Sequence, residues 1–188
     1  MFNNFEKIGE EIYVYKKFLS EEECNNIVNV LEAMPEEEWV FDRPEIKHKR
    51  TEPLEEILNV RSKLNKLIPE GLFLGMASTA TRLVTGDSWG EHSDVHDFAE
   101  INKLADSYIE GMPYEEKELS VYGTVVYFNH FEGGQIYYPT QNIIYAPSPG
   151  DLVIHSSAPL CLHGVKPVLS EKRYSYSNHI YKNIKVPV

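Results

Sequence analysis

The chain has 188 residues, 42% hydrophobic and 12% aromatic, with 29 acidic against 18 basic side chains and a net charge of −11. That length suits one domain with a sizeable core, and that apolar content excludes a disordered chain. The acidic balance argues against DNA or an anionic membrane as partner, since both demand a basic surface; it would steer a basic peptide favourably, though on charge alone a role in solubility is the better-supported reading.

Cys24 and Cys161 are the only cysteines. They are too few for a disulfide framework or a thiolate metal site, so both are expected as buried hydrophobes. Met1 to Glu6 lacks the positive and apolar regions of a signal peptide, and no apolar run is long enough to span a bilayer. An intracellular, cytoplasmic setting with no membrane partner is expected.

In chain order, residues 11–19 alternate as a short strand. Ser20-Glu21-Glu22-Glu23 then reads as a capping box. Cys24, Ile27, Val28, Leu31 and Met34 recur at helical spacing before Pro35 ends the element. A second helix is predicted over 53–67, with Pro53 at its first turn and Leu54, Ile57, Leu58, Arg61 and Leu64 on one stripe. From residue 72 the pattern turns to strands, over 72–84, 119–129, 135–138, 142–145, 151–154, 160–168 and 173–182. Gly133-Gly134 and Pro149-Gly150-Asp151 punctuate them as turns. Many short strands broken by Gly and Pro suggest a mainly β fold, a double-sheet jelly roll with N-terminal helices against it. Residues 1–188 are expected as one domain, with helical support over about 1–70 and the jelly-roll core over about 71–188. Between Asp94 and Leu119 lies an insertion whose Phe98, Ile101, Leu104, Ala105 and Tyr108 suggest a helix. Over 95–118 it is either a lid on a nearby site or an inert surface insertion.

The chemistry concentrates in His92-Ser93-Asp94 and in His163. On a strand, residues i and i+2 share a face, so His92 and Asp94 can face one metal while Ser93 turns away, and His163 arrives from a second strand. Two imidazoles and one carboxylate make the facial triad of non-heme Fe(II) oxygenases. Ten residues after His163, Arg173 and Ser175 share one face of a strand-like tail. A guanidinium beside a hydroxyl suits a planar carboxylate. His96, two residues beyond Asp94, is a weaker candidate, either as an alternative ligand or as a group that supports the ligands; His130, His155 and His179 are expected to be structural or surface groups. Trp89, three residues before His92, either lines a substrate mouth or packs.

The stretch Gly86-Asp87-Ser88-Trp89-Gly90-Glu91-His92-Ser93-Asp94, the block Tyr127-Phe128-Asn129-His130-Phe131-Glu132-Gly133-Gly134-Gln135, the turn Pro149-Gly150-Asp151 and the His163…Arg173 pair resemble the 2-oxoglutarate- and Fe(II)-dependent dioxygenases. The resemblance is to the prolyl 4-hydroxylase-like branch, and Phe18 to Ile27 is similar to that branch's first helix. It implies Fe(II) on His92, Asp94 and His163, with 2-oxoglutarate and O2 as cosubstrates and ascorbate as a supporting reductant. The same resemblance assigns Arg173 and Ser175 to the distal carboxylate of 2-oxoglutarate. The chain departs from the branch at Leu83, where a cosubstrate-contacting tyrosine is usual, and at Ile136, where Gly-Gly-Glu-Thr reads Gly133-Gly134-Gln135-Ile136. Tyr127 is expected to supply the missing phenol. The presence of Asp94 argues against the related halogenases. The implied reaction is hydroxylation of an unactivated C–H bond, first of a peptidyl side chain such as proline, giving succinate and CO2. A free amino acid or small metabolite is the second substrate class, and a non-catalytic metal-binding sensor or structural module is the alternative of another kind. A zinc hydrolase would leave Arg173 and Ser175 unexplained.

Overall fold

The computed structural model describes residues 5–41, 49–95, 110 and 113–187. The chain opens on a hairpin, β1 (Glu6–Gly9) and β2 (Ile12–Tyr15), so the predicted strand over 11–19 is shorter than expected and has a partner before it. Helix α1 (Glu21–Ala33) begins where its capping signal lies. Ser20 Oγ accepts a hydrogen bond from Glu23 N at 3.2 Å, and Glu23 Oε2 accepts one from Ser20 N at 2.8 Å. Two otherwise orphaned amides are satisfied reciprocally. Cys24, Ile27 and Leu31 make its buried stripe.

Short strands β3 (Val40–Phe41) and β4 (Lys49–Arg50) precede helix α2 (Glu55–Asn65), which starts after Pro53 rather than at it. The buried stripe of α2 is Ile57, Val60 and Leu64, while Leu58 is exposed. That is a correction to the predicted face, and the i, i+3, i+7 spacing of the buried three shows why one apolar residue had to turn outward.

The predicted strand over 72–84 divides into β5 (Phe73–Leu74) and β6 (Thr81–Val84). Both pair with one long strand, β13 (Lys172–Pro187), Leu74 opposite Ile180 and Thr81 opposite Ser175. The seven steps from Leu74 to Thr81 face five from Ser175 to Ile180, so the surplus leaves the sheet after Gly75, whose N–H still donates to the His179 carbonyl at 2.8 Å. There the Gly75 carbonyl accepts from Asn178 Nδ2 and Arg61 Nε instead of a strand partner.

The remaining strands are β7 (Trp89–His92), β8 (Tyr114–Tyr127), β9 (Ile136–Tyr138), β10 (Ile143–Tyr145), β11 (Leu152–Ser156) and β12 (His163–Val165). Tyr114 to Glu118, assigned by sequence to the insertion, are strand paired with β13 from Asn183 to Pro187. The expected lid helix over Phe98, Ile101, Leu104, Ala105 and Tyr108 lies outside the described residues, as does His96.

Among the described residues the strands form two antiparallel sheets. The large one runs β1-β2-β11-β8-β13-β6-β4-β3 with β5 also on β13, and the small one runs β10-β9-β12-β7. The architecture is the double-sheet jelly roll. Alternation assigns the two faces of the large sheet. Val126, Leu152, Ile154, Tyr174, Tyr176 and Ile180 face α1 and α2. Val14, Tyr127 and Val153 face the other way, against Ile136 and Tyr138 of the small sheet. The turns expected at Gly133-Gly134 and Pro149-Gly150-Asp151 are present, and Gly150 has φ +82 with Leu19 O where a Cβ would be, so only glycine closes that approach.

The capping box sets a testable cost. Ser20→Ala should lower unfolding free energy by about 1 kcal/mol, read as a lower urea midpoint at unchanged slope.

Candidate metal centre and carboxylate pocket

His92 ends β7 and His163 begins β12, and the two are direct antiparallel partners, with ring centroids 4.4 Å apart. Each imidazole is pinned in the same manner. His92 Nδ1 lies 2.9 Å from the Gly90 carbonyl, and His163 Nδ1 lies 2.9 Å from the Cys161 carbonyl. A carbonyl only accepts, so both Nδ1 atoms carry the proton and both Nε2 atoms present lone pairs.

Asp94 is not on the strand with His92. The strand ends at His92 and Asp94 follows in a bend, which corrects the expectation that the pair shares a face by the period of two. The bend carries the carboxylate over both imidazoles: Asp94 Oδ1 lies 3.9 Å from His92 Nε2 and 3.9 Å from His163 Nε2. One ligand atom from each of the three residues falls within 4.8 Å of the others. These separations are too long for hydrogen bonds, and two imidazole lone pairs beside a carboxylate form a donor set that fits a divalent cation.

Burial alone would raise the Asp94 carboxyl, but His155 and the other imidazoles around it hold it well below the usual carboxylate range. Burial pushes the His163 imidazole down to about 3, with the neighbouring His155 adding to the drop against the pull of Asp94. Both groups are therefore in the protonation state that metal ligation requires.

Arg173, Ser175 and Tyr127 gather on the inner face of the large sheet, bordering the same cavity of about 420 Å³ as the three candidate ligands. Ser175 and Tyr127 are cross-strand partners, and Arg173 Nη1 donates to Ser175 Oγ at 3.2 Å. The guanidinium lies 5.0 Å from the Tyr127 ring centroid and 5.4 Å from that of Phe131. Arg173 is only 3% exposed. Burial lowers its pKa and the Tyr127 phenol counters that shift, yet no carboxylate among the described residues pairs with it. Arg173 Nε and the Tyr127 hydroxyl are buried with no hydrogen-bond partner among the described residues. A buried guanidinium and orphaned donors call for an external anion, and a carboxylate fits them. Leu83, where the resemblance implies a lost phenol, stands opposite Arg173 on β6, while Tyr127 approaches from β8 on the other flank.

Trp89 borders the cavity and stacks on His92, with centroids 5.5 Å apart. His130 is exposed, as expected. His155 and His179, expected to be structural or surface groups, both border the cavity and approach Asp94 Oδ2, at 3.3 Å and 3.9 Å. Gly123 was not singled out either, yet a Cβ there would collide with Asp94 Oδ2 and would stand 2.5 Å from His155 Nε2. The signals were legible in part: 173, 175, 177 and 179 share one face by the period of two, and Gly123 interrupts a β-branched and aromatic strand. Cys24 and Cys161 are buried free thiols, each pushed up to about 11 by burial.

No protein-family model and no curated protein matches the sequence. Solved structures do. A viral collagen prolyl hydroxylase from Paramecium bursaria Chlorella virus-1, in its 2OG complex, superposes with TM-score 0.65 at 17% identity, covering 93% of this chain and 97% of that one. A prolyl-4-hydroxylase from Pseudomonas putida gives 0.64 at 15% identity, covering 92% of each chain. A Trichoplax adhaerens prolyl hydroxylase, bound to a hypoxia-inducible factor oxygen degradation domain peptide, gives 0.63 at 14%, covering 92% and 84%. The chain has the prolyl hydroxylase fold. No helix among the described residues is long and apolar enough to cross a membrane.

Two outcomes follow from this geometry. Gly123→Ala should cost about 1–3 kcal/mol by overpacking the Asp94 and His155 contacts, measurable by urea denaturation. In the metal-free protein, His163 stays neutral through mild acid, whereas its ordinary pKa is 6.5. The unfolded chain then binds more protons below 6.5, so His163's contribution is complete above that pH and is lost as pH falls toward about 3. His179, also pushed down by burial, acts in the same sense. The urea midpoint should fall from about pH 7 to about pH 5, and less so in His163→Gln.

Proposed function

We propose that this chain is an Fe(II)- and 2-oxoglutarate-dependent oxygenase that hydroxylates an unactivated C–H bond. The observation that carries the reading is one cavity that joins the His92, Asp94 and His163 donors to a buried guanidinium, Arg173, with no anionic partner among the described residues. On this reading His92, Asp94 and His163 hold Fe(II), and Arg173, Ser175 and Tyr127 receive the distal carboxylate of 2-oxoglutarate. When bound there, iron with its cosubstrate and O2 supplies oxidative decarboxylation coupled to hydroxylation, with succinate and CO2 released.

The chain's own residues do the rest. The Gly90 and Cys161 carbonyls fix both imidazole tautomers, so two lone pairs are held in place before any metal arrives. Arg173, its guanidinium against the Tyr127 and Phe131 rings, anchors one end of the cosubstrate away from the metal donors. The apolar cluster of Val14, Tyr127, Ile136 and Val153 keeps water from that end. A peptidyl side chain such as proline is the first substrate class, supported by the fold shared with the peptide-bound Trichoplax hydroxylase. A free amino acid or small polar metabolite is the second, favoured by the polar wall of Arg50, Thr81, Ser177 and His179 on the cavity.

Arg173→Ala should weaken 2-oxoglutarate binding by roughly 2–5 kcal/mol, because a charged partner of the bound anion is lost from a buried site. Arg173→Lys keeps the charge without the planar fork and should fall between. Calorimetric titration in Mn(II) reads both, and Mn(II) affinity itself should stay unchanged. Wild-type protein that binds no 2-oxoglutarate, or Arg173→Ala that binds it normally, would leave a non-catalytic metal-binding module as the better account. Turnover is read as 2-oxoglutarate decarboxylation with added Fe(II), and His163→Ala should abolish it. The substrate class is then read by mass spectrometry as the gain of one oxygen atom across proline peptides, free amino acids and metabolites.

A further inference from the structure

The two oxygens of Asp94 face different sheets. Oδ1 faces His92 and His163 of the small sheet, each at 3.9 Å. Oδ2 faces the large sheet, where His155, Gly123 and His179 form one cross-strand row on β11, β8 and β13. Gly123 in the middle leaves a notch, since a Cβ there would collide with Oδ2. His155 Nε2 stands 3.3 Å from Oδ2. His179 is a weaker neighbour, 3.9 Å away and engaged by Ser120 Oγ at 3.2 Å.

Behind His155 stands Tyr138 of the small sheet, its hydroxyl 2.9 Å from Nδ1. Both side chains are buried. The carboxylate only accepts, so a neutral His155 carries its proton on Nε2 and leaves Nδ1 to accept from the Tyr138 hydroxyl. The donors then run in one direction, from Tyr138 through His155 to Asp94. Asp94 needs such a grip. Its strand has already ended at His92, and Oδ2 is buried with no hydrogen-bond partner among the described residues, so the approach of His155 Nε2 at 3.3 Å is what offsets its desolvation.

We propose that His155, backed by Tyr138 and admitted by the Gly123 notch, is a positioning residue that holds Asp94 by Oδ2 and presents Oδ1 alone between the two imidazoles. The inference rests on the metal-centre reading above. On this arrangement Asp94 would offer a metal its Oδ1 alone, while Oδ2 stays engaged with the large sheet. Outer partners of this kind typically change metal affinity by 10- to 100-fold.

The test is Mn(II) titration followed by electron paramagnetic resonance, with the melting temperature of the metal-free protein measured alongside. His155→Leu should weaken Mn(II) binding by roughly 10- to 100-fold. His155→Gln, whose amide nitrogen can donate from near the Nε2 position, should recover a substantial part of that loss at a similar melting temperature. Tyr138→Phe removes only the hydroxyl and should give a smaller loss. Unchanged affinity in His155→Leu, or a glutamine variant no better than the leucine one, overturns the proposal while the metal centre stands. Should His155→Leu fail to fold, Tyr138→Phe decides: full wild-type affinity overturns the proposal, and a measurable loss supports it. Wild-type protein that fails to bind Mn(II) would overturn the metal-centre reading itself, an outcome distinct from all of these.

Discussion

Strand β11, residues 119–127 of β8 and residues 173–180 of β13 are covered on both faces, and that constraint orders the whole molecule. One face must be covered by the helices and the other by the small sheet, so every second residue of these strands is committed to one of two environments. Tyr174, Tyr176 and Ile180 go to the helical side. Arg173, Ser175, Ser177 and His179 go to the cavity. A one-residue slip of β13 would send the whole polar row into the helix-packed core and the tyrosines into the cavity, so fold and site share one register.

The cavity has two chemically distinct ends. At one, two imidazoles and a carboxylate converge from the small sheet and the bend after it. At the other, a guanidinium is held in an apolar and aromatic shell without a charged partner among the described residues. Each end is costly in the ligand-free protein, because buried charges and orphaned donors are desolvated without full compensation. Interiors evolved for stability alone replace such groups by apolar ones. Their presence in one cavity is the physical argument behind the proposal that a cation and an anion bind there together.

Asp94 links the two sheets. Its backbone belongs to the end of the small sheet, while one of its oxygens rests on the large sheet's inner face over Gly123. The site is therefore a contact between layers rather than a feature of either, and errors in how the sheets pack would be felt there first. Tyr138, also of the small sheet, meets His155 of the large one at the same depth, reinforcing that contact.

Much of this was written in the chain. The Ser20 capping box, the helical spacing through Leu31, and the Gly and Pro punctuation act over a few residues, so they determine α1 and the turns locally. His92, Asp94, His163, Arg173 and Ser175 were legible as candidates because their chemistry is rare and their order along the chain is informative. Other features depended on distant partners. Which apolar residues of α2 turn inward, and where the run over 72–84 breaks, were decided by what β13 and the core presented. The bend that takes Asp94 off the strand, and the assembly of Gly123, Tyr138 and His155 behind it, unite segments far apart in sequence. A glycine, a tyrosine and a histidine in strands are unremarkable by composition. Only the stacking of one sheet on the other makes them neighbours, because periodicity gives each residue a face but not what lies across from it.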